Sequence, residues 1–112
     1  MTAFKKLKTI RTFEKQHLPH LRTHEDFDIV IEVGFHQENG TPLTLKGLVL
    51  LNITSPATVQ RRICSLVQNG IITRTRCASD RRSIELGVST QTRELIESYV
   101  QLLSGGIHQT TV

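Results

Sequence analysis

Residues 55–70 read Ser55-Pro56-Ala57-Thr58-Val59-Gln60-Arg61-Arg62-Ile63-Cys64-Ser65-Leu66-Val67-Gln68-Asn69-Gly70, and the reading of the whole chain turns on how this stretch is oriented. Ser55 offers an N-cap hydroxyl and Pro56 a ring already set for the first helical position, where no amide hydrogen is needed. Gly70 is a fitting C-terminal cap. Between them Val59, Ile63, Leu66 and Val67 recur at i, i+4, i+7 and i+8, the spacing of one buried helical face. At about 100° per residue, Ala57, Thr58, Arg61 and Ser65 fall within about 60° of the opposite direction, flanked by Gln60 and Arg62. That outward surface contains no acid, whereas a helix kept only for solubility mixes signs. Its first turn is small and polar, so it can approach another surface closely. Arg61 and Gln60 carry the fork and amide geometries that read guanine and adenine edges.

Working outward from this helix, Leu43-Thr44-Leu45-Lys46-Gly47-Leu48-Val49-Leu50-Leu51-Asn52 predicts a short, nearly all-buried helix. Thr44 is its cap and Asn52 a left-handed terminator. Beyond Gly70 the period falls to two. Ile71–Cys77 and Ser83–Val88 alternate as the strands of a hairpin, with Ile84, Leu86 and Val88 on one side. Its tip, Ala78-Ser79-Asp80-Arg81-Arg82, is polar and basic, and Arg74 and Arg76 share one face of the first strand.

Three further helices complete the chain's pattern. Phe4, Leu7, Ile10 and Phe13 predict one over 3–18, ended by Pro19. Thr23 caps a second, with Glu25 and Asp26 in its first turn and Phe27, Val30, Ile31 and Phe35 as its buried stripe. Asn39-Gly40-Thr41-Pro42 closes it. Ser89 or Thr90 caps the last, with Leu95, Ile96, Tyr99, Leu102 and Leu103 as its apolar stripe and Gly105-Gly106 as its end. The predicted divisions are an N-terminal helix and linker over 1–22, a central domain over 23–89, a C-terminal helix over 90–104 and a flexible tail over 105–112.

The 112 residues suit one small domain. Charge is segregated. Residues 1–24 hold six Lys or Arg against Glu14, residues 25–40 hold five acids and no Lys or Arg, and residues 46–82 hold seven cations against Asp80. The last imbalance is a candidate footprint for a polyanion. Aromatic residues make up only 4% of the chain, so base-stacking platforms for single strands are poorly supplied. No run approaches the ~18–20 apolar residues of a membrane span, and no apolar segment follows the basic start as in a signal peptide, so the expected location is the cytoplasm. Cys64 and Cys77 lack the partners for a four-ligand zinc site or a disulfide framework, and are expected to be reduced and structural.

Helix, turn, helix, a two-stranded ribbon with a basic tip, then an amphipathic helix is the winged helix-turn-helix plan: mainly α with a small β-hairpin wing. Leu43-Thr44-Leu45, then Ser55 to Ile63, then Asn69-Gly70-Ile71-Ile72, then Ser79-Asp80-Arg81-Arg82-Ser83-Ile84-Glu85-Leu86-Gly87-Val88-Ser89 resembles the MarR family of bacterial transcriptional regulators over positions 43 to about 96. The resemblance implies sequence-specific binding of double-stranded DNA, with recognition helix 55–69 in the major groove and wing 73–88 in the minor groove. It also implies repression by occupancy of a promoter, and a homodimer joined through the N- and C-terminal helices. It leaves any small-molecule effector unspecified. Carried over by position, Ser55, Pro56, Ala57, Thr58, Gln60, Arg61 and Arg62 face bases and phosphates. Lys46, Arg74, Arg76 and the wing arginines Arg81 and Arg82 supply further DNA contacts, with Asp80 bracing Arg82 so that Arg81 is the groove arginine.

Two other functional classes fit the sequence less well. His17, His20, His24, His36 and His108 do not share the spacing from which three or four metal ligands converge. With no Gly-x-Ser-x-Gly elbow and no phosphate-cradling Gly-rich loop, neither an enzyme nor a cofactor is expected. The stronger alternative is a winged-helix protein–protein interaction module. Such a module presents apolar anchors on its exposed face, where this sequence places arginines, amides and hydroxyls.

Overall fold

The computed structural model describes residues 3–77, 79–80 and 82–110. Five helices and one hairpin follow in the order α1 (Ala3–His17), α2 (His24–Glu38), α3 (Leu45–Leu50), α4 (Pro56–Gln68), β1 (Ile72–Arg76), β2 (Ile84–Val88) and α5 (Thr90–Thr110). Each helix from α2 onward starts at a hydroxyl. Thr23 accepts from the Asp26 amide in a reciprocal capping box, Thr44 from Gly47, Ser55 from Thr58 and Ser89 from Thr92. Asn52, at φ 57°, supplies the left-handed residue between α3 and α4.

The ends of α2 and α4 share one device. Gly70 lies at φ 73°, its amide bonded to the Val67 carbonyl, while the Ile71 amide reaches back to the Leu66 carbonyl at 2.9 Å. This Schellman closure satisfies two otherwise orphaned carbonyls and buries Ile71. Gly40, at φ 75°, repeats it with bonds from its own amide to Gln37 and from Thr41 to His36.

β1 and β2 pair antiparallel from Ile72↔Val88 to Arg76↔Ile84. The segment before α3 joins them as a short third member through a Thr44↔Glu85 bridge and a 2.8 Å bond from the Leu86 amide to the Leu43 carbonyl. Beneath this sheet lies the core. Ile29, Val33, Leu48, Val59, Ile63 and Leu66 are fully enclosed, with Ile72 and Leu86 closing it from the hairpin.

Three expectations are corrected here. The buried face of α2 is Asp26, Ile29, Val30 and Val33, with Ile31 and Phe35 60% and 57% exposed. That face begins with a carboxylate and carries Gln37 near its end, so an apolar stripe read from sequence settles one residue off the packed side. In α3 only Leu48 is enclosed, and Leu50 and Leu51 face outward. In α1, which forms as the sequence predicts, Ile10 alone is buried, while Phe4 is 83% exposed and Leu7 53%. Finally, α5 continues through Gly105-Gly106 to Thr110, since glycine weakens a helix by about 1 kcal/mol without forbidding one.

α1 and α5 pair with each other. Phe13 and Tyr99 stack with ring centroids 5.7 Å apart, and Tyr99 also meets Phe27 of α2. The result is an elongated molecule of 51 × 27 × 23 Å whose radius of gyration, 15.8 Å, exceeds the ~13 Å of a compact domain this size. Among the described residues no helix is long and apolar enough to cross a membrane.

Candidate nucleic-acid interface

The packing of Val59, Ile63 and Leu66 into the core decides which side of α4 faces outward. Ser55, Pro56, Ala57, Gln60, Arg61 and Cys64 are exposed, and Thr58 and Ser65 are half-buried. No Asp or Glu lies on this helix. Among the described residues this face remains exposed at the positions that the sequence directs toward a partner.

The surrounding cations converge on the same side. Lys46, at the start of α3, and Arg82, in the wing, line one groove together with Gln60 of α4, Thr44, Leu45 and Ser83. Arg74, on β1, donates from Nη2 to the Cys64 sulfur at 3.3 Å, which places its guanidinium against the outer side of α4 one turn beyond Arg61. Arg76 is exposed further along the same strand. Arg81 lies outside the described residues. Asp80 does brace position 82, but through the backbone. Its Oδ1 accepts the Arg82 amide at 3.0 Å and its Oδ2 the Ser83 hydroxyl at 3.2 Å, so the turn is held while the Arg82 side chain stays exposed.

Arg62 departs from expectation. Its guanidinium turns away from the exposed face and clasps Asp26 of α2, Nε to Oδ1 at 2.6 Å and Nη2 to Oδ2 at 2.7 Å. Asp26 is fully buried and also accepts the Arg22 and Thr23 amides at 3.0 and 3.3 Å. Burial alone would push this carboxyl up, but the Arg62 hydrogen bonds, the two amides and the Arg62 charge together hold it below the usual carboxylate value. From the sequence Asp26 reads only as helix-start chemistry, and the pairing with a residue 36 positions away is not visible. One signal was available: Arg62 lies about 100° around from Arg61, on a flank where a long cation meets neighbouring helices.

The second missed residue is Gln37. Its Oε1 accepts the Val88 amide at 2.9 Å and fastens α2 to the hairpin. Cys77 is half-buried, and the Ser79 hydroxyl with the Ser79 and Asp80 amides lowers its thiol from the ordinary value. Among the described residues no group of three or more His, Cys, Asp or Glu could hold a metal ion.

No family model matches the sequence, and no curated protein matches it. Solved structures do. The chain is similar to the S. aureus MepR–DNA complex at TM-score 0.71 and 21% identity, covering 96% of this chain and 86% of that one. It is also similar to the transcriptional regulator Tm0710 from Thermotoga maritima, at TM-score 0.67 and 22% identity over 96% and 73% of the two chains. For MarR the TM-score is 0.57 at 20% identity, over 90% and 77%. With identity this low and coverage this complete, what is shared is the course of the backbone, and the chain has the winged helix-turn-helix fold of the MarR-family structures.

Proposed function

We propose that this chain is a sequence-specific, double-stranded DNA-binding transcriptional regulator that acts as a repressor, with α4 in the major groove and the hairpin in an adjacent minor groove. One observation carries the reading: the exposed, acid-free face of α4 is open to a partner and is bordered by Lys46, Arg74 and Arg82. Phosphates supply affinity through these flanking cations, and Gln60 and Arg61 supply base discrimination. The likeness to MepR, solved as a complex with DNA, supports the same docking. This is a binding protein's surface. Val49, Leu50 and Ile84 also line the groove beside α4, but the exposed face of α4 itself carries an arginine, an amide and hydroxyls in place of large apolar anchors, which disfavours a protein-interaction module.

The reading includes a homodimer. Phe4, Leu7, Val100 and Leu103 are exposed on the paired α1 and α5, more apolar side chains than one such arm needs to leave in water. A two-fold pair would present two copies of α4 to successive major grooves.

Selection of bound duplexes from a random pool tests the reading. A palindrome with half-sites about 10 base pairs apart is expected. If such a dimer neutralises about 6–10 phosphates, affinity falls roughly 10³–10⁵-fold between about 50 and 200 mM salt. Recovery of no preferred sequence would reject the proposal.

A further inference from the structure

The recognition face of α4 is aimed by a pair of residues that does not belong to it. Val59, Ile63 and Leu66 hold α4 against the core, but apolar contact is non-directional and tolerates some roll about the helix axis. With a helix diameter of about 10–12 Å including side chains, a roll of ~20° displaces an outward side chain by about 2 Å. A recognition constellation tolerates nearer 0.5 Å and 10–20°. Something directional has to set the angle.

We propose that Asp26 is a positioning residue for DNA recognition, fixing the roll of α4 through its two-pronged bond to Arg62. The inference rests on the DNA-binding reading given above. Arg62 leaves α4 near its middle, next to Arg61 and two positions from Gln60. Two parallel bonds between a planar guanidinium and a planar carboxylate fix direction and twist together, which one contact would not. The carboxylate is itself held. Oδ2 accepts the Arg22 and Thr23 amides, so its orientation is set by the segment joining α1 to α2. The angle of the recognition helix is thus referred to the point where the α1–α5 arm enters the body. Stability alone does not account for the arrangement, because a buried ion pair commonly contributes no more than a well-packed apolar pair of the same size.

Asp26 is completely buried and cannot touch DNA, which gives the test opposite signs under two accounts. Asp26→Asn removes a negative charge from a DNA-binding chain and releases Arg62. If charge were all that mattered, binding to every duplex would tighten. Positioning instead requires affinity for the selected duplex to fall about tenfold relative to a scrambled one. Arg62→Lys keeps the charge and loses the fork, and is expected to lower the same ratio while leaving scrambled-duplex affinity near wild type. It carries the test if Asp26→Asn does not fold. Val33→Ala, a core truncation in α2 seven positions beyond Asp26, is the stability control and should retain the ratio. Wild-type ratios in Asp26→Asn and Arg62→Lys would overturn the proposal, as would an equal loss in Val33→Ala. A wild-type chain that prefers no duplex would instead reject the DNA-binding reading itself, before any variant is compared.

Discussion

Tyr99 Oη donates to Glu14 Oε2 at 2.5 Å, joining α5 to α1 across 85 positions of chain. Glu14 also receives Arg11 at 2.6 Å, so the phenol closes a three-membered polar chain beside the Phe13 ring. Burial, then the hydrogen bond and charge of Glu14, push the Tyr99 hydroxyl up to about 12. The fold therefore favours the neutral phenol. Its contribution to stability is complete below the ordinary value of 10.0 and is lost as pH rises through about 12. Tyr99 is the sole tyrosine and there is no tryptophan, so phenolate absorbance reports it alone. Native protein should titrate near 12 and denatured protein near 10. Tyr99→Phe should cost about 1–2 kcal/mol in denaturant melts and remove this high-pH dependence.

Asp26 has the opposite sign. Its carboxyl is held below the ordinary 3.8 in the fold, so its contribution is present above the unfolded value and is lost as pH falls through the lower folded one. Asp26→Asn should cost about 3 kcal/mol near neutral pH, because it leaves Arg62 without its charge partner. The gap between wild type and variant should narrow below about pH 4. Urea unfolding of both proteins across that range checks it. A constant gap would show that the carboxylate charge is irrelevant to stability.

A β-carbon added at Gly87 would lie 2.9 Å from Gln37 Nε2 and 3.0 Å from Thr73 Oγ1. The Gln37 amide would have to swing aside and abandon the Val88 amide it accepts. Gly87→Ala should cost about 1–3 kcal/mol. Gln37→Ala loses the same bond by itself, so the two costs should be clearly sub-additive in a double-mutant cycle. Full additivity would show that the two residues do not interact.

On the proposed DNA surface, Arg61→Ala should relax base preference at one operator position by about 1–3 kcal/mol, with scrambled-duplex binding little changed. Arg74→Ala and Arg81→Ala should weaken all duplexes alike and flatten the salt dependence by about one phosphate each. Mobility shifts on matched and scrambled sites at several salt concentrations separate the two behaviours.

For the arm, Leu7→Glu or Leu103→Glu places a charge among exposed apolar side chains. Within a monomer such a change is nearly silent, at about ±0.5 kcal/mol. Across a dimer interface it should raise the dissociation constant at least about tenfold, as read by sedimentation. Unchanged assembly would move the interface elsewhere.

What the sequence determined by itself is local. Ser55-Pro56, Thr44, Asn52 and Gly70 place the helix boundaries because capping and left-handed backbone are decided within a few residues. The periods of α4 and the hairpin settle their inward faces because Val59, Ile63 and Leu66, like Leu86 and Val88, have no polar interruption. Only the tertiary structure decided the fate of Arg62. Its partner lies 36 positions away, and no local rule relates the roll of one helix to the first turn of another. The same holds for α2, whose true face includes the buried Asp26 and carries the half-buried Gln37 at its far end, polar residues that turn inward only when another element brings them an arginine or an amide. Ile31 reads as core by period, yet it remains outside, as do Phe4 and Leu7, because hydrophobicity states a need for cover, and only assembly in three dimensions determines whether the chain has any cover to offer.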